Sequence, residues 1–388
     1  MKKLRVMTVF GTRPEAIKMA PVVLELKKQA DLIEPIVAVT AQHREMLDQV
    51  LSLFSLTPDS DLDIMAAGQT LYDITGRALT GLKTVLEEAK PDLVLVHGDT
   101  TTTFVGALAA FYAQIPVGHV EAGLRTGRKD SPFPEEMNRR LTGAMADWHF
   151  APTNTAKGNL LAENIAPSTI FVTGNTVIDA LKATVKRGYQ FDDPVLAAAV
   201  ARGRRLVLVT THRRENLGEP MRQVYQALRQ LLETHDDIEI IFPVHRNPKV
   251  REVVEAELGG LDRVNLIEPL DYEPFANLMA HAALVLTDSG GIQEEAPALG
   301  KPVLVLRDTT ERPEAVEAGT VALIGTEKEA VFAAAHRLLA DAQAYAAMAE
   351  ACNPYGDGQA AARIVAFLLH RYGLAEELPT AFVCDLHK

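Results

Sequence analysis

Cysteine is scarce: the chain has two, Cys352 and Cys384, in 388 residues. Neither stands at metal-ligand spacing from other ligating residues, which argues against a zinc site or disulfide framework and predicts two free thiols. No apolar run reaches the roughly 20 residues that a bilayer-spanning helix needs, so a soluble chain without membrane partners is expected. A surplus of positive charge is also missing. The 39 Lys and Arg against 51 Asp and Glu give a formal charge of −12, which disfavours nucleic acid as a partner. Repeats and low-complexity segments do not occur. The opening MKKLRVMTVF is basic like a secretory leader, but its apolar run is short, holds Arg5 and leads into a glycine turn. It reads as a first strand, and a cytoplasmic location is expected.

What is present is an alternation of buried-looking strands and amphipathic helices, at 47% hydrophobic and 23% charged residues. The strands LRVMTVF, EPIVAVT and DLVLV are separated by helical patterns at 14–28, 43–54 and about 70–89. That order is the signature of βαβ units and of a parallel sheet covered on both faces. Met46, Leu47, Val50, Leu51 and Phe54, and likewise Leu71, Ile74, Ala78, Leu82 and Val85, recur at helical spacing and are expected in the core. Residues 182–204 carry no strand, and RRLVLVT then restarts the alternation. The fold class is therefore α/β, with two Rossmann-like doubly wound lobes. Ligands of such sheets sit outside the carboxyl ends of the strands, so an interdomain cleft lined by strand-end residues is expected.

Several strand ends carry chemistry. VFGTRPEAIKMAP is strand, glycine turn and helix start, with Arg13 and Lys18 beside a site that favours an anion. It is neither a G-x-G-x-x-G turn nor a Walker A loop, so the usual support for a nicotinamide or ATP is missing. In VLTDSGGIQEEAP, Ser289, Gly290 and Gly291 let a diphosphate approach backbone N–H groups, and Glu295 lies where a carboxylate can meet ribose hydroxyls. The alternative is a turn with an N-cap. Asp99, in HGDTTTT, either caps the next helix or does acid–base work. Glu121, between a buried strand and Gly123, is poorly placed for an unpaired carboxylate and points to function. Glu135 follows Pro134 and either complements a helix dipole or reacts. His212 opens a polar loop, THRREN, where a structural histidine is the equal alternative. His245 and Arg246 follow another strand.

The motifs GTRPEAIKMAP, TAQHREMLDQV, VHGDTTTT, GHVEAGLRTG, PEEMNRR, GNTVIDAL, THRREN, DSGGIQEEAP and RDTTERPEA run in order along nearly the whole chain. Together they closely resemble the non-hydrolysing UDP-N-acetylglucosamine 2-epimerases of bacteria. The resemblance implies a glycosyltransferase-B-like fold with lobes at 1–180 and 181–358, and a C-terminal helix and tail, 359–388, packing back on the first lobe. It implies a homodimer, interconversion of UDP-GlcNAc and UDP-ManNAc for cell-surface polysaccharide synthesis, and no added cofactor or metal. By position, Asp99, Glu121, Glu135 and His212 match residues implicated in catalysis. Arg13, Lys18, Phe275, Ser289, Gly290, Gly291, Glu295 and Arg312 match nucleotide and diphosphate contacts. Gln42, His43, Gln69, Arg213 and His245 match a site where many relatives hold a second UDP-GlcNAc as activator. Glu45 and Gly68 depart from that pattern, and Leu270 stands where some relatives carry a glutamine.

A C2 hydrogen that is not beside a carbonyl resists direct deprotonation. The family's route is elimination of UDP to 2-acetamidoglucal and re-addition. Along that route Glu121 and Asp99 are the first choices for proton transfer and Glu135 for assistance, the division among the three staying open, and His212, Arg13 and the Ser289 loop are expected to stabilise the diphosphate.

Overall fold

The computed structural model describes residues 2–42 and 44–384. The chain divides into two compact units, Met1–Ala180 with Tyr355–Val383, and Leu181–Pro354 with Cys384–Lys388.

The first unit is built on β1 (Leu4–Phe10), β2 (Ile33–Val39), β3 (Ser60–Asp61), β4 (Leu93–His97), β5 (Val117–Val120), β6 (Trp148–Ala151) and β7 (Ile170–Val172). Among the described residues these form one sheet in the order β3-β2-β1-β4-β5-β6-β7, with neighbouring strands parallel. Parallel strands need crossovers, supplied by α1 (Arg13–Lys28), α2 (Arg44–Leu53), α3 (Leu71–Ala89), α4 (Thr101–Tyr112), α5 (Glu135–Met145), α6 (Asn154–Ala162) and α7 (Thr176–Thr184). Because helices cover both faces, the central strands are continuously apolar: every residue of β4 is buried, as are Val6, Met7, Val9 and Phe10 of β1. Strand order reverses between β1 and β4, which makes their carboxyl ends the topological switch point of this sheet. The turns at 11–12 and 98–100 open there.

The second unit repeats the plan with β8 (Arg205–Thr210), β9 (Ile238–Pro243), β10 (Val264–Ile267), β11 (Ala282–Thr287), β12 (Val303–Val305) and β13 (Val321–Leu323). The sheet order is β10-β9-β8-β11-β12-β13, again parallel, with the switch point between β8 and β11. Its helices are α8 (Pro194–Ala201), α9 (Glu219–Thr234), α10 (Pro248–Leu258), α11 (Tyr272–His281), α12 (Ile292–Glu295), α13 (Pro313–Glu317), α14 (Lys328–Ala340) and α15 (Ala342–Ala349). α9 buries Met221, Val224, Tyr225, Leu228, Leu231 and Leu232 along one stripe against this sheet.

The last helix, α16 (Ala360–Arg371), belongs to the first unit. Its Phe367 ring lies 5.6, 5.4 and 5.0 Å from the rings of Trp148, Phe150 and Phe171, on β6 and β7. Asp179 of α7 accepts the N–H groups of Ala360 at 3.2 Å and Ala361 at 2.9 Å, satisfying two of the orphan donors at the start of α16.

Two expectations are corrected, the burial of two helix residues and the state of the cysteines. Met46 and Leu71, expected in the core, are 45% and 38% exposed. Met46 stands one position off the stripe of Leu47, Val50 and Leu51, and Leu71 is the first residue of its helix. The helix behind the glycine turn, α12, is only four residues long and gives way to a 3₁₀ turn at Ala296–Leu299 that carries Pro297. Glu295 is its fourth and last residue. Cys352 and Cys384 are not free: they are joined as a disulfide with Cα atoms 6.0 Å apart, and their separation of 32 positions left no sign of this in the sequence.

Candidate functional site

In the first unit, three strand ends bring the polar residues together. At β1, Thr12 caps α1 and Glu15 folds back beneath it. The Glu15 carboxylate accepts the N–H of Gly11 at 3.1 Å and of Thr12 at 2.8 Å, as well as the hydroxyls of Thr100 at 2.7 Å and Thr103 at 3.1 Å. Burial pushes its pKa up against these contacts. The turn read from sequence as an anion site thus has two of its amides taken by the chain's own acid. Arg13 is the half-buried first residue of α1, and Lys18, further along the helix, is half-buried and paired with Glu121.

At β4 the threonines and the acid separate their tasks. Thr100 is the N-cap of α4, accepting the N–H of Thr103 at 3.1 Å. The Asp99 carboxylate is left out of the cap but is not unpartnered: Arg139 reaches its Oδ2 through Nε at 3.0 Å and Nη2 at 2.6 Å. Asn138 donates to the Asp99 carbonyl at 2.9 Å. Arg139 is held in turn by Glu136 at 3.2 Å, one turn back on α5. Glu136 is fully buried and accepts the N–H of Thr126 at 3.0 Å and of Gly127 at 3.2 Å. Burial works to raise its pKa, and these amides with Arg139 outweigh it and hold the carboxyl below its usual range. Glu135 begins α5 and is half-buried, with Oε2 enclosed and unpaired among the described residues.

At β5, Glu121 adopts φ 60°, a left-handed conformation that is uncommon outside glycine and concentrates at functional sites. Its carboxylate is 8% exposed and meets Lys18 Nζ at 2.5 Å and Asn175 Nδ2 at 2.7 Å. Gly123 makes the tight passage possible, since a Cβ there would lie 2.3 Å from the Ala156 carbonyl oxygen. His97 is buried, with Nε2 3.8 Å from Glu121 Oε2 and both ring nitrogens otherwise unpaired among the described residues. Burial lowers its pKa to about 4, so the ring is neutral near pH 7. His119 lends its Nε2–H to the Gly98 carbonyl at 2.7 Å, and burial takes its pKa to about 3. Gln42 accepts from Thr102 at 3.3 Å, and Gln69 accepts the Ala66 N–H at 3.2 Å. His43 lies outside the described residues.

In the second unit the ends of β8 and β11 meet. Asp288 is completely buried. Its Oδ2 accepts the N–H groups of His212 and Arg213, both at 2.9 Å, and its Oδ1 lies 2.9 Å from His212 Nδ1. The His212 ring stacks on His245 at 5.8 Å and 24°. Arg213 extends to Glu311 at 2.8 Å, which Arg307 also holds at 2.7 Å. Burial raises the Glu311 pKa, but Arg307 and then Arg213 carry it down to about 2.

The Ser289 turn differs from expectation in one respect: the Ser289 N–H donates to Thr287 Oγ1 at 3.0 Å, leaving the approach to backbone donors to Gly290 and Gly291. A Cβ on Gly290 would come within 3.0 Å of Glu311 Oε1. Arg312 is paired with the buried Glu294, and Phe275 is half-buried on α11. Arg246 follows His245 on the exposed loop after β9.

Sequence reading passed over Arg139, Glu136, Asn175, His97, Glu15 and Asp288. Signals existed for some of them. Glu136 and Arg139 have helical i, i+3 spacing of opposite charge, and Asp288 is an acid at a strand end. Among the described residues no group of three or more His, Cys, Asp or Glu could hold a metal ion. No described helix is long and apolar enough to cross a membrane.

Residues 24–369 match the family model for UDP-N-acetylglucosamine 2-epimerase. The chain is 59% identical over 382 residues to a UDP-N-acetylglucosamine 2-epimerase of Bacillus subtilis, covering 98% of this chain and 99% of the relative. A crystal structure of a UDP-N-acetylglucosamine 2-epimerase from Listeria monocytogenes superimposes with a TM-score of 0.94 at 55% identity, over 98% of this chain and 100% of that one. The Neisseria meningitidis UDP-GlcNAc 2-epimerase, solved bound to UDP-GlcNAc, superimposes with a TM-score of 0.82 at 51% identity, over 94% of this chain and 100% of that one. The two parallel α/β lobes are of the glycosyltransferase-B-like class. The chain belongs to the UDP-N-acetylglucosamine 2-epimerase family.

Proposed function

We propose that this protein is a non-hydrolysing isomerase that inverts C2 of UDP-N-acetylglucosamine to give UDP-N-acetylmannosamine, reversibly. The observation that carries the reading is Glu121, a buried carboxylate in a left-handed backbone conformation, fixed by Lys18 and Asn175 at the carboxyl end of β5. Family membership supplies the substrate class, and the UDP-GlcNAc-bound relative from Neisseria supports it.

The chemistry follows by elimination and addition. A carboxylate, Glu121 or Asp99, takes the C2 proton. The electron pair of that C–H bond becomes the C1=C2 bond of 2-acetamidoglucal, and the C1–O bond breaks with its electrons leaving on the β-phosphate of UDP. Proton return to the opposite face of C2, assisted by Glu135, and attack of the same phosphate oxygen on C1 complete the inversion. Electrons and protons balance within substrate and protein. The carboxylates titrate as a coupled set, so the base and acid roles belong to the group. Arg13, Lys18, Arg312, His212 and the Gly290–Gly291 amides preorganise positive potential for the departing diphosphate. Glu295 takes the ribose, and Phe275 packs beside the nucleotide. Gln42, His43, Gln69, Arg213 and His245 form the candidate activator site for a second UDP-GlcNAc.

The same reading includes a homodimer, a cytoplasmic setting and supply of the manno sugar to cell-surface polysaccharide. For the dimer, support comes from the first unit. A groove of roughly 770 Å³ between α3 and α4, lined by Leu79, Leu86, Ala109, Tyr112 and Ile115, lies beside exposed Phe111 and Tyr112. A second copy covering it predicts twice the chain mass by light scattering, and one chain mass for Tyr112→Glu.

The functional test is proton NMR of the purified protein with UDP-GlcNAc in D2O. UDP-ManNAc with deuterium at C2 in both isomers is expected. Free ManNAc would indicate hydrolysis, and an unchanged spectrum would refute the epimerase.

A further inference from the structure

Beyond the residues to which the family resemblance gives a role, one side chain is built around His212. Thr210 of β8 and Thr287 of β11 are register partners, so the residues that follow them face each other. Asp288 is fixed there by its own N–H to the Thr210 carbonyl at 3.2 Å. Its carboxylate is wholly removed from solvent: Oδ2 accepts two backbone amides, with Asn216 Nδ2 at 3.5 Å, while Oδ1 is left without an aligned hydrogen bond among the described residues and lies 2.9 Å from His212 Nδ1. Such a carboxylate stays ionised. Burial alone would raise its pKa, but His212 and the amides overcome that and lower it. The imidazole it touches is 41% exposed, with its far side open.

We propose that Asp288 is a positioning residue for His212, holding the imidazole as the Nδ1–H tautomer so that Nε2 is presented to the ligand. The step it serves is the departure of UDP. A ring anchored at Nδ1 by an anion keeps Nε2 aimed at the ligand; a second proton, taken from solvent at Nε2 when the anionic diphosphate binds, makes it the donor to the β-phosphate oxygen as the C1–O bond breaks. The proton stays with the ring or moves to that oxygen, and returns when the oxygen attacks C1 again. The carboxylate itself never needs to be protonated, as in other His–Asp pairs. This inference rests on the placement of His212 at the leaving diphosphate.

Other charged groups face the ring or its loop: His245 from the turn after β9, Arg213 and Arg214 from the same loop, and Glu311 and Arg307 around Arg213. Among the described residues the hydrogen bonds and ion pairs of these groups go elsewhere than His212 Nδ1, so the tautomer reports on Asp288.

The test has two parts. The first is nitrogen-15 NMR of the full-length protein labelled at histidine, with His212→Gln used to assign the His212 signals. A neutral His212 protonated at Nδ1 is expected; protonation at Nε2 with a bare Nδ1 would overturn the proposal even if no variant at 288 folds. This readout needs no turnover, so it remains decisive if the epimerase assignment fails. The second part is kinetic, with Asp288→Asn alone and combined with His212→Gln. Asp288→Asn is expected to lower kcat by roughly 10- to 100-fold, the usual effect of removing a histidine's carboxylate partner, with KM changed by less than about threefold. On the His212→Gln background the same substitution should cost less than about threefold more. A full additional loss there would show that Asp288 acts independently of the ring and would overturn the proposal.

Discussion

At the scale of single residues, burial and pairing decide which groups are charged and which way they point. Glu121 is oriented by a lysine and an amide, so Glu121→Gln keeps the shape but removes the basic oxygen. Turnover should fall by roughly two to four orders of magnitude, the range for a positioned acid or base, and near-normal turnover in the NMR assay would remove Glu121 from the mechanism. His119 tests the electrostatics of the same corner through stability. Its folded pKa is about 3, against 6.5 for an ordinary histidine, because burial disfavours the charged ring. A lowered folded pKa means that the unfolded chain binds the extra proton, so the stabilising effect is present above pH 6.5 and declines as pH falls toward 3. Relative to a His119→Gln variant, the native protein should lose about 1.4 kcal/mol of stability per pH unit between pH 6 and 4, measurable by urea unfolding. Glu121 was legible in the sequence because a carboxylate between an apolar strand and a glycine must be paired or functional. Its partners were not, since Lys18 and Asn175 lie 103 and 54 residues away along the chain.

At the scale of elements, buried parallel strands announce themselves as uninterrupted apolar runs, which is why β1, β2, β4 and β8 could be read in advance, as could the helices behind β1, β2 and β3, whereas α9 and α10 were not. Short elements are decided by local chemistry that a periodic pattern does not carry. α12 stops after four residues ahead of Pro297, and Gly300 then closes the 3₁₀ turn in a left-handed conformation. The attachment of α16 likewise depends on a residue far from it in sequence. Asp179 caps its first turn, while Phe367 inserts among Trp148, Phe150 and Phe171. Phe367 is 2% exposed, so Phe367→Ala should cost about 3–5 kcal/mol in denaturant unfolding, the usual range for emptying an aromatic site. Asp179→Ala should cost about 1 kcal/mol, as for loss of an N-cap. Because burial raises the Asp179 pKa to about 6, its proton-linked stabilisation is complete below the unfolded value of 3.8 and is lost as pH rises through 6. The penalty for Asp179→Ala should therefore be larger at pH 4 than at pH 7. Equal penalties at the two pH values would refute this account of the cap.

At the scale of the whole molecule, the two units carry different chemistry on the same sheet plan. The acids proposed to move protons, Asp99, Glu121 and Glu135, all follow strands of the first unit, whereas the glycine turn, Glu295 and Arg312 belong to the second. If the first group acts on the sugar and the second on the nucleotide, substitutions should separate turnover from UDP affinity. Asp99→Asn removes a carboxylate that Arg139 already holds away from the helix cap, so UDP binding by calorimetry should stay within about threefold. Epimerisation should fall by roughly two to four orders of magnitude. Glu295→Ala removes an acceptor for two hydroxyls, and hydrogen bonds to a charged group contribute about 1.5–3 kcal/mol, so UDP should bind roughly 10- to 100-fold more weakly. The two variants together should show both effects at nearly their separate sizes, as expected for groups that act independently. If Asp99→Asn weakened UDP as much as Glu295→Ala did, Asp99 would belong to the diphosphate rather than to the sugar, and the assignment of proton transfer would rest on Glu121 and Glu135 alone.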